Sequence, residues 1–328
     1  MNINQFKKKL YPQLIKLEKS RRYRNILYST SYLIYLIPIS ILLGTFPFEE
    51  EKKSFVPLIG MISSLILFFL IEPFLLSPQK KSYKKNFNQL ILAKFVTTLF
   101  PELSYFPDKY FDKNTFKYSK LYRNRHWIQS IGSFEGLTKS NLKFKFTKLR
   151  SSEALDRKLN LPPFNGLFYV LEIPNISFPY ILILGANKSE FLDDEHFKLK
   201  QIPIARMNAS LNKMCTIYSE VEKDAYTIIQ MNFIKELERI YKELTSSFTI
   251  CFYDNKMYIA LEKLDFFEVK LRAPLVSNSL ISKLYKDISQ SIDLINSISR
   301  HFLNFDNINF KGLSKNNDDD LLYDHLIL

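Results

Sequence analysis

Four histidines, two cysteines and one dense acidic cluster are the residues best equipped for chemistry. The histidines form no HExxH motif and no histidine–carboxylate spacing typical of a metal site. The Asp193–His196 cluster combines three carboxylates with an imidazole, but it lies in a polar stretch between apparent strands. A solvated loop is the favoured interpretation, and a metal site is the alternative, since ligands must converge in space. The four histidines are His126, His196, His301 and His325.

The two cysteines, Cys215 and Cys251, have no CxxC spacing and predict buried, reduced thiols. Either thiol could pair with a distant histidine, but nothing local singles one out as a nucleophile. The segment Gly132–Gly136 (GSFEG) has the pattern of neither a Walker loop nor a nucleophile elbow. The sequence therefore predicts no catalytic constellation, no metal and no cofactor. It leaves the question of enzymatic activity open and favours a non-enzyme.

Arg123, Arg125 and His126 form a weak anion-binding candidate beside Trp127. Two guanidinium groups and an imidazole can together hold an anionic group. The alternative is an ordinary loop face with one anchored aromatic ring, since arginine and aromatic side chains are frequent neighbours.

The net charge of +13 is concentrated in the first part of the chain. Residues 1–94 contain 15 lysines and arginines and 5 acidic residues, which leaves only +3 for the remaining 234 residues. A nucleic-acid-binding protein normally carries its basic patch on the folded domain. The distribution instead resembles the basic flanks of membrane segments, so we expect a lipid bilayer as a partner and no nucleic acid.

Two apolar stretches, 26–46 and 55–76, predict a transmembrane hairpin, because about 20 apolar residues cross a bilayer core as a helix. A cleaved signal peptide is the alternative for the first stretch, but that stretch is too long and a second follows. The basic flanks predict that both termini lie on the cytoplasmic side of the membrane. Residues 1–25 are predicted as a basic juxtamembrane helix. The expected membrane-interface residues are Arg21, Arg22, Arg24, Glu72, Lys80, Lys81, Lys84 and Lys85.

The rest of the chain predicts an α+β fold with antiparallel strands and two long amphipathic helices. Residues 77–114 are predicted as a juxtamembrane helix and linker, 115–305 as the cytoplasmic α+β domain and 306–328 as a mobile tail. Period-two alternation and turn residues predict strands over 141–149, 166–173, 180–184 and 266–271, and a hairpin over 248–261. Apolar residues three or four positions apart predict a long helix after Ser219 and another over 281–302.

Several segments resemble a bacterial family of membrane proteins known as domain of unknown function 3137 (DUF3137). They are Leu14–Arg24, Phe116–Tyr122, Phe164–Ile173, Met214–Leu237 and Phe248–Leu271. The resemblance implies a bacterial, inner-membrane protein. It also implies a partner, since members occur beside LemA-type membrane proteins, but it supplies no reaction.

The sequence supports three functional hypotheses. The favoured one is a membrane-anchored cytoplasmic interaction or scaffold protein. Its partner is another membrane protein, of the LemA type that the resemblance implies, or a second copy of the chain. The alternative is a ligand sensor or effector that acts through the hairpin. An enzyme with an unfamiliar site is the third, because sites are grafted onto folds and cannot be derived from fold class.

Overall fold

A computed structural model gives the architecture of the chain. The chain divides into two compact units, the first comprising Met1–Pro101 and Phe267–Tyr285 and the second Glu102–Phe266 and Lys286–Leu328. The structure describes residues 3–45, 62, 77–109, 111–121, 128–151, 164–174, 176–185, 199–203, 213–228, 231–244, 248–262, 266–267, 274–275 and 278–302.

The first unit is built on the long helix α1 (Ile3–Thr45) and a helical run that follows it in sequence. That run is α2 (Ser77–Phe87), one π-helical turn (Asn88–Leu92) and α3 (Ala93–Leu99), which ends before Pro101 as predicted. The apolar face Phe6, Leu10, Leu14 and Leu17 of α1 is buried. The rings of Phe6 and Phe95 pack edge to face with centroids 5.3 Å apart, which joins α1 to α3.

The structure corrects one part of the predicted fold, the transmembrane hairpin. Among the residues that the structure describes, no helix is both long enough and apolar enough to cross a bilayer. Residues 26–45 of the first predicted span continue a 43-residue helix whose earlier turns are rich in lysine and arginine and pack on α3. The second, 55–76, lies outside the described residues except for Ile62. The predicted α+β class with an antiparallel sheet is confirmed; the hairpin is not supported.

The second unit is built on one antiparallel sheet of ten strands in the order β1-β3-β4-β5-β10-β9-β6-β8-β7, with β2 also paired to β4. The strands are β1 (Leu103–Phe106), β2 (Ile128–Ser130), β3 (Ser133–Leu137), β4 (Lys143–Ser151), β5 (Asn165–Glu172), β6 (Phe178–Gly185), β7 (Lys200–Gln201), β8 (Cys215–Ser219), β9 (Phe248–Asp254) and β10 (Lys256–Glu262).

The predicted hairpin forms the middle of this sheet as β9 and β10. Asp254 turns the chain with φ of 54°, in the left-handed region that aspartate tolerates in tight turns. The register pairs Met257 with Phe252 and Ile259 with Ile250. Gly166 allows the neighbouring strand β5 to come close, because a Cβ there would overlap the carbonyl oxygen of Leu261 on β10.

Both faces of the central strands are covered, so these strands are buried on both sides. One face carries Phe168, against which Phe111 and Phe116 pack edge to face at 5.3 and 5.2 Å. The opposite face carries Tyr169, whose hydroxyl donates to Ser291 Oγ at 3.1 Å. Residues of alternating parity therefore meet different layers, as the period-two geometry of a strand requires.

The helices of the second unit supply those layers. They are α4 (Lys113–Tyr118), α5 (Glu222–Ile228), α6 (Met231–Leu244) and the part of α7 (Asn278–Ser299) from Lys286 onward, followed by a 3₁₀ turn (Arg300–Phe302). Asp112 caps α4 by accepting from the backbone N–H of Asn114 and Thr115. The predicted helix after Ser219 is observed as α5 and α6. The predicted strand 266–271 begins as a turn at Phe266–Phe267, and its other residues, like the predicted tail, lie outside the described part of the chain.

Candidate functional site

A polar groove in the second unit is the candidate site, and we call it the α6–α7 groove. It has a volume of about 400 Å³ and lies between α6, the end of α7 and the turn that joins β3 to β4. Three cations and two carboxylates contribute to it, together with an amide and a hydroxyl. Its lining residues are Lys139, Glu236, Arg239, Asp293, Asn296, Ser297 and Arg300.

An aromatic cluster behind the groove fixes its two helical walls to the sheet. Phe233 of α6 packs against Phe252 of β9 with ring centroids 5.7 Å apart. Phe302, just after α7, lies 6.0 Å from Phe252 and 6.4 Å from Phe233. Because these three rings are buried, they hold α6 and the end of α7 at a fixed spacing.

The first wall of the groove presents an ion pair within α6. Arg239 Nε donates to both carboxylate oxygens of Glu236, at 3.0 and 3.2 Å, and a second guanidinium nitrogen also contacts Oε1. Glu236 is only 8% exposed, whereas Arg239 is half-buried. A bidentate pair at this i, i+3 spacing holds the carboxylate in one orientation and offsets its charge.

The second wall is tied to the β3–β4 turn by Asn296. The backbone N–H of Lys139 donates to Asn296 Oδ1 at 2.8 Å, which also settles which end of that amide is oxygen. Ser299 Oγ lies 3.4 Å from Ser140 Oγ and adds a second polar link between α7 and the same turn. The exposed side chain of Lys139 is thereby placed at the mouth of the groove.

Arg300 and Asp293 complete the groove on the solvent side, and both are exposed. An Arg300 guanidinium nitrogen donates to Ser297 Oγ at 3.3 Å. After the Glu236–Arg239 pair is set aside, the groove retains two cations and one carboxylate. It also retains the donor –NH₂ of Asn296 and the hydroxyl of Ser297, so donors outnumber acceptors.

His301 borders this region and is the described histidine nearest to the groove. Its ring packs edge to face on Phe233 with centroids 6.2 Å apart. Partial burial lowers the pKa of His301; the nearby carboxylate of Glu236 acts in the opposite direction, and Arg300 adds to the lowering. The net shift favours the neutral form of the imidazole.

Of the predicted membrane-interface residues, Arg21 is buried inside the first unit. Its guanidinium donates to Glu18 at 2.9 Å through Nε and at 2.6 Å through Nη2, and Arg22 adds a contact at 3.2 Å. Glu18 also accepts from the backbone N–H of Leu275 at 2.9 Å. The hydrogen bonds from Arg21, supported by Leu275 and Arg22 and opposed by burial, lower the pKa of Glu18 to about 2.

Arg24 lies over the ring of Tyr83 at 5.5 Å, a cation–π contact between α1 and α2. Burial raises the pKa of the Tyr83 hydroxyl, so it remains protonated. Arg22 and Lys85 are exposed, Lys84 is half-buried, and Lys80 and Lys81 belong to α2. Whether these residues contact lipid stays a prediction.

Both cysteines are free and buried, as the sequence predicted. Burial raises the pKa of the Cys215 thiol to about 12 and that of Cys251 further still. A thiol with so high a pKa carries almost no thiolate at neutral pH, and thiolate is the nucleophilic form. Neither cysteine is placed to act as a catalytic nucleophile.

The GSFEG segment has a structural explanation. Gly132 has φ of 65°, and a Cβ there would come within 2.7 Å of the Tyr105 ring. The segment provides the entry into β3 and no phosphate-binding loop. Among the described residues, no group of three histidine, cysteine, aspartate or glutamate side chains could hold a metal ion.

Several predicted site residues fall outside the described part of the chain. These are the anion-binding candidate Arg123, Arg125 and His126, the membrane-interface candidate Glu72, the Asp193–His196 cluster and His325. Their roles stay predictions.

No local sequence motif predicted the α6–α7 groove, although one signal for it is present. Asp293, Asn296, Ser297 and Arg300 recur at intervals of three, one and three residues, which is the spacing of a polar stripe on one helical face. That stripe borders the apolar stripe by which α7 was recognised. The contributions of Lys139 and Glu236 come from distant segments, and no local pattern links them.

Comparisons with known proteins give one family and no functional assignment. No curated protein matches the chain. One solved structure, the crystal structure of the mycobacterial trehalose monomycolate transport factor A (TtfA), is similar at 7% sequence identity over 62% of this chain and 92% of that chain. Its TM-score of 0.33 is too low to support an argument. Residues 163–300 match the family described as "Protein of unknown function (DUF3137)". The match confirms the predicted resemblance to DUF3137 over residues 163–300, which make up less than half of the chain.

Proposed function

We propose that this chain is an interaction protein that recruits a partner through the α6–α7 groove. The observation that carries the proposal is the groove itself, a donor-rich surface on two helices that buried aromatic rings hold against a ten-stranded sheet. A recognition surface needs polar groups in fixed positions, and a rigid helical scaffold provides them. Five of its seven lining residues are charged, which favours a charged or polar partner segment.

The described side chains support binding better than catalysis. Both thiols are buried and protonated, and the carboxylate of Glu236 is engaged by Arg239. Nucleophilic catalysis needs an activated nucleophile within reach of a base, and acid–base catalysis needs a group placed to move a proton. The lining of the groove contains neither a cysteine nor a histidine.

The test is recovery of a partner from membranes of the native host by crosslinking and tagged purification. Wild-type protein is compared with Arg300→Ala in the groove and with Lys117→Ala as the matched control. Lys117 is an exposed cation on α4, which packs on the opposite face of the sheet. We expect one near-stoichiometric partner with the wild type and the control, and its loss with Arg300→Ala. Recovery of the protein without a partner in all three samples would contradict the proposal.

A ligand sensor is the second candidate, and the size of the groove favours it. A volume of about 400 Å³ falls within the range of roughly 300–1,000 Å³ typical of small-molecule sites. A sensor predicts a change in oligomer size or in hydrogen exchange of α6 and α7 when the ligand binds. Purified full-length protein that shows neither change across a metabolite screen would count against this function.

The identity and location of the partner stay predictions. A LemA-type membrane protein or a second copy of the chain is the expected partner, and the inner membrane is the expected location, with both termini on the cytoplasmic side. The partner purification distinguishes the first two, because self-association yields only the chain itself. Cell fractionation tests the location independently of any partner.

A further inference from the structure

We propose that the α6–α7 groove binds an oxyanion, a carboxylate or phosphate group carried by its ligand. This inference rests on the proposed function and specifies the chemistry that the groove recognises. Three features of the groove support an oxyanion: its charges, the amide of Asn296 and the position of Asp293.

The net charge of the groove is positive when the Glu236–Arg239 pair is treated as neutral. Glu236 and Arg239 are joined by a bidentate contact, so together they contribute no net charge. Lys139 and Arg300 then stand against Asp293 alone. Both cations are exposed, and a lysine and an arginine that converge on one cavity are the side chains that most often hold carboxylate or phosphate oxygens.

Asn296 supplies the second and independent observation. It is only 8% exposed, and its Oδ1 is already occupied by the backbone N–H of Lys139. Within the part of the chain that the structure describes, its –NH₂ group has no hydrogen-bond partner, although Asn296 lines the groove. Among the described residues the buried side-chain polar atoms without a partner are the hydroxyls of Tyr83 and Tyr105, so the Asn296 nitrogen is open to the solvent of the groove. It can therefore donate to an oxyanion that enters the groove.

The hydroxyl of Ser297, the remaining polar group of the groove, can also donate a hydrogen bond to an acceptor. Ser297 Oγ already accepts from Arg300, which leaves its hydroxyl hydrogen available to donate. A cluster made of an ammonium, a guanidinium, an amide –NH₂ and a hydroxyl offers donors on several sides. A ligand with acceptors only, such as phosphate or carboxylate, is complementary to it.

Asp293 sets a limit on the ligand's charge. As an exposed carboxylate at the same groove, it repels an oxyanion that comes close to it. The anion is therefore expected nearest to the two cations, Lys139 and Arg300. Replacing Asp293 by asparagine should strengthen anion binding, which a purely structural role for Asp293 does not predict.

The experiment is calorimetric titration of the full-length protein with inorganic phosphate and, separately, with succinate at constant ionic strength. The two probes distinguish a phosphate from a carboxylate ligand. We expect saturable binding of at least one probe, weakened at least about tenfold by Arg300→Ala, a loss of about 1.4 kcal/mol. Asp293→Asn should tighten binding, and Lys117→Ala should leave it unchanged.

Asn296→Asp is the most discriminating variant. It keeps an oxygen to accept from the Lys139 N–H but replaces the –NH₂ donor by a negative oxygen, so binding should be lost while the fold is kept. Wild-type binding by Asn296→Asp, or no saturable binding of either probe by the wild type, would overturn the proposal. Partner recovery without anion binding would refute this inference and leave the proposed function standing. Anion binding without recovery of a partner would support this inference and contradict the proposed function.

Discussion

The backbone N–H of Lys139 donates to Asn296 Oδ1 at 2.8 Å, joining two residues that lie 157 positions apart in sequence. The bond attaches the β3–β4 turn to the second half of α7. It places a lysine side chain at the mouth of the α6–α7 groove, next to the amide group that lines the groove. The position of Lys139 in the groove thus depends on a residue of α7.

Asn296→Ala should weaken the attachment of this turn. The Lys139 N–H would lose its acceptor in a part-buried position, at a cost of about 1–3 kcal/mol in the free energy of unfolding. Asn296→Asp should cost less because it keeps the acceptor. Hydrogen exchange at the Lys139 amide measures the effect locally. Equal protection of that amide in wild type and Asn296→Ala would show that the bond does not form.

Glu18→Gln should destabilise the first unit in a way that depends on pH. The pKa of Glu18 falls from its usual 4.5 to about 2 in the folded chain, so the unfolded chain binds more protons between those values. The stabilisation is therefore present above about pH 4.5 and is lost as the pH falls toward 2. It amounts to about 3 kcal/mol, because each pKa unit corresponds to about 1.4 kcal/mol.

The measurement is the difference in unfolding free energy between wild type and Glu18→Gln from pH 7 to pH 2.5. We expect this difference to shrink as the pH falls. The matched control is Glu220→Gln, which removes an exposed carboxylate. A difference that stays constant across the range would mean that the buried pair with Arg21 does not hold Glu18 ionised.

Gly166→Ala should disrupt the centre of the sheet. A methyl group at this position would overlap the carbonyl oxygen of Leu261, so β5 and β10 would have to move apart. Because both atoms belong to paired strands, the cost should exceed about 2 kcal/mol. Asn165→Ala is the control, since its exposed neighbouring position should change stability by less than about 0.5 kcal/mol. Equal thermal stability of the two variants would refute the close approach.

The two cysteines should resist modification in the folded protein. Cys215 and Cys251 are buried, and burial raises both pKa values, so the thiols are inaccessible and protonated. We expect no adduct with iodoacetamide at pH 7.5 and two adducts after unfolding in guanidinium, read by intact-mass spectrometry. Rapid labelling of one thiol in the native protein would reopen the possibility of a thiol nucleophile.

Local sequence patterns predicted the elements that are long or have distinctive turns. The β9–β10 hairpin was found because Asp254–Lys256 has turn chemistry between two apolar runs, and α7 because its apolar residues recur at helical spacing. Strands β1, β2, β3, β7 and β8 were missed. They are two to five residues long, which leaves little periodicity to detect.

Local sequence patterns could not predict the candidate site, for a different reason. Lys139, Glu236 and Asn296 belong to separate segments that meet only because the sheet order brings the β3–β4 turn beside α6 and α7.

The excess of positive charge in residues 1–94 was interpreted as the basic flank of a membrane segment. In the structure, part of it is used inside the first unit, where Arg21 pairs with Glu18 and Arg24 covers Tyr83.

The most direct test of the groove as a recruitment surface is position-specific photo-crosslinking in the native host. A photoreactive residue replaces the exposed Leu137 at the end of β3, two residues before Lys139, and, in a second strain, Lys117 on α4. We predict one discrete partner adduct from position 137 and none from position 117. An adduct from position 117 alone, or equal adducts from both, would contradict recruitment through the α6–α7 groove.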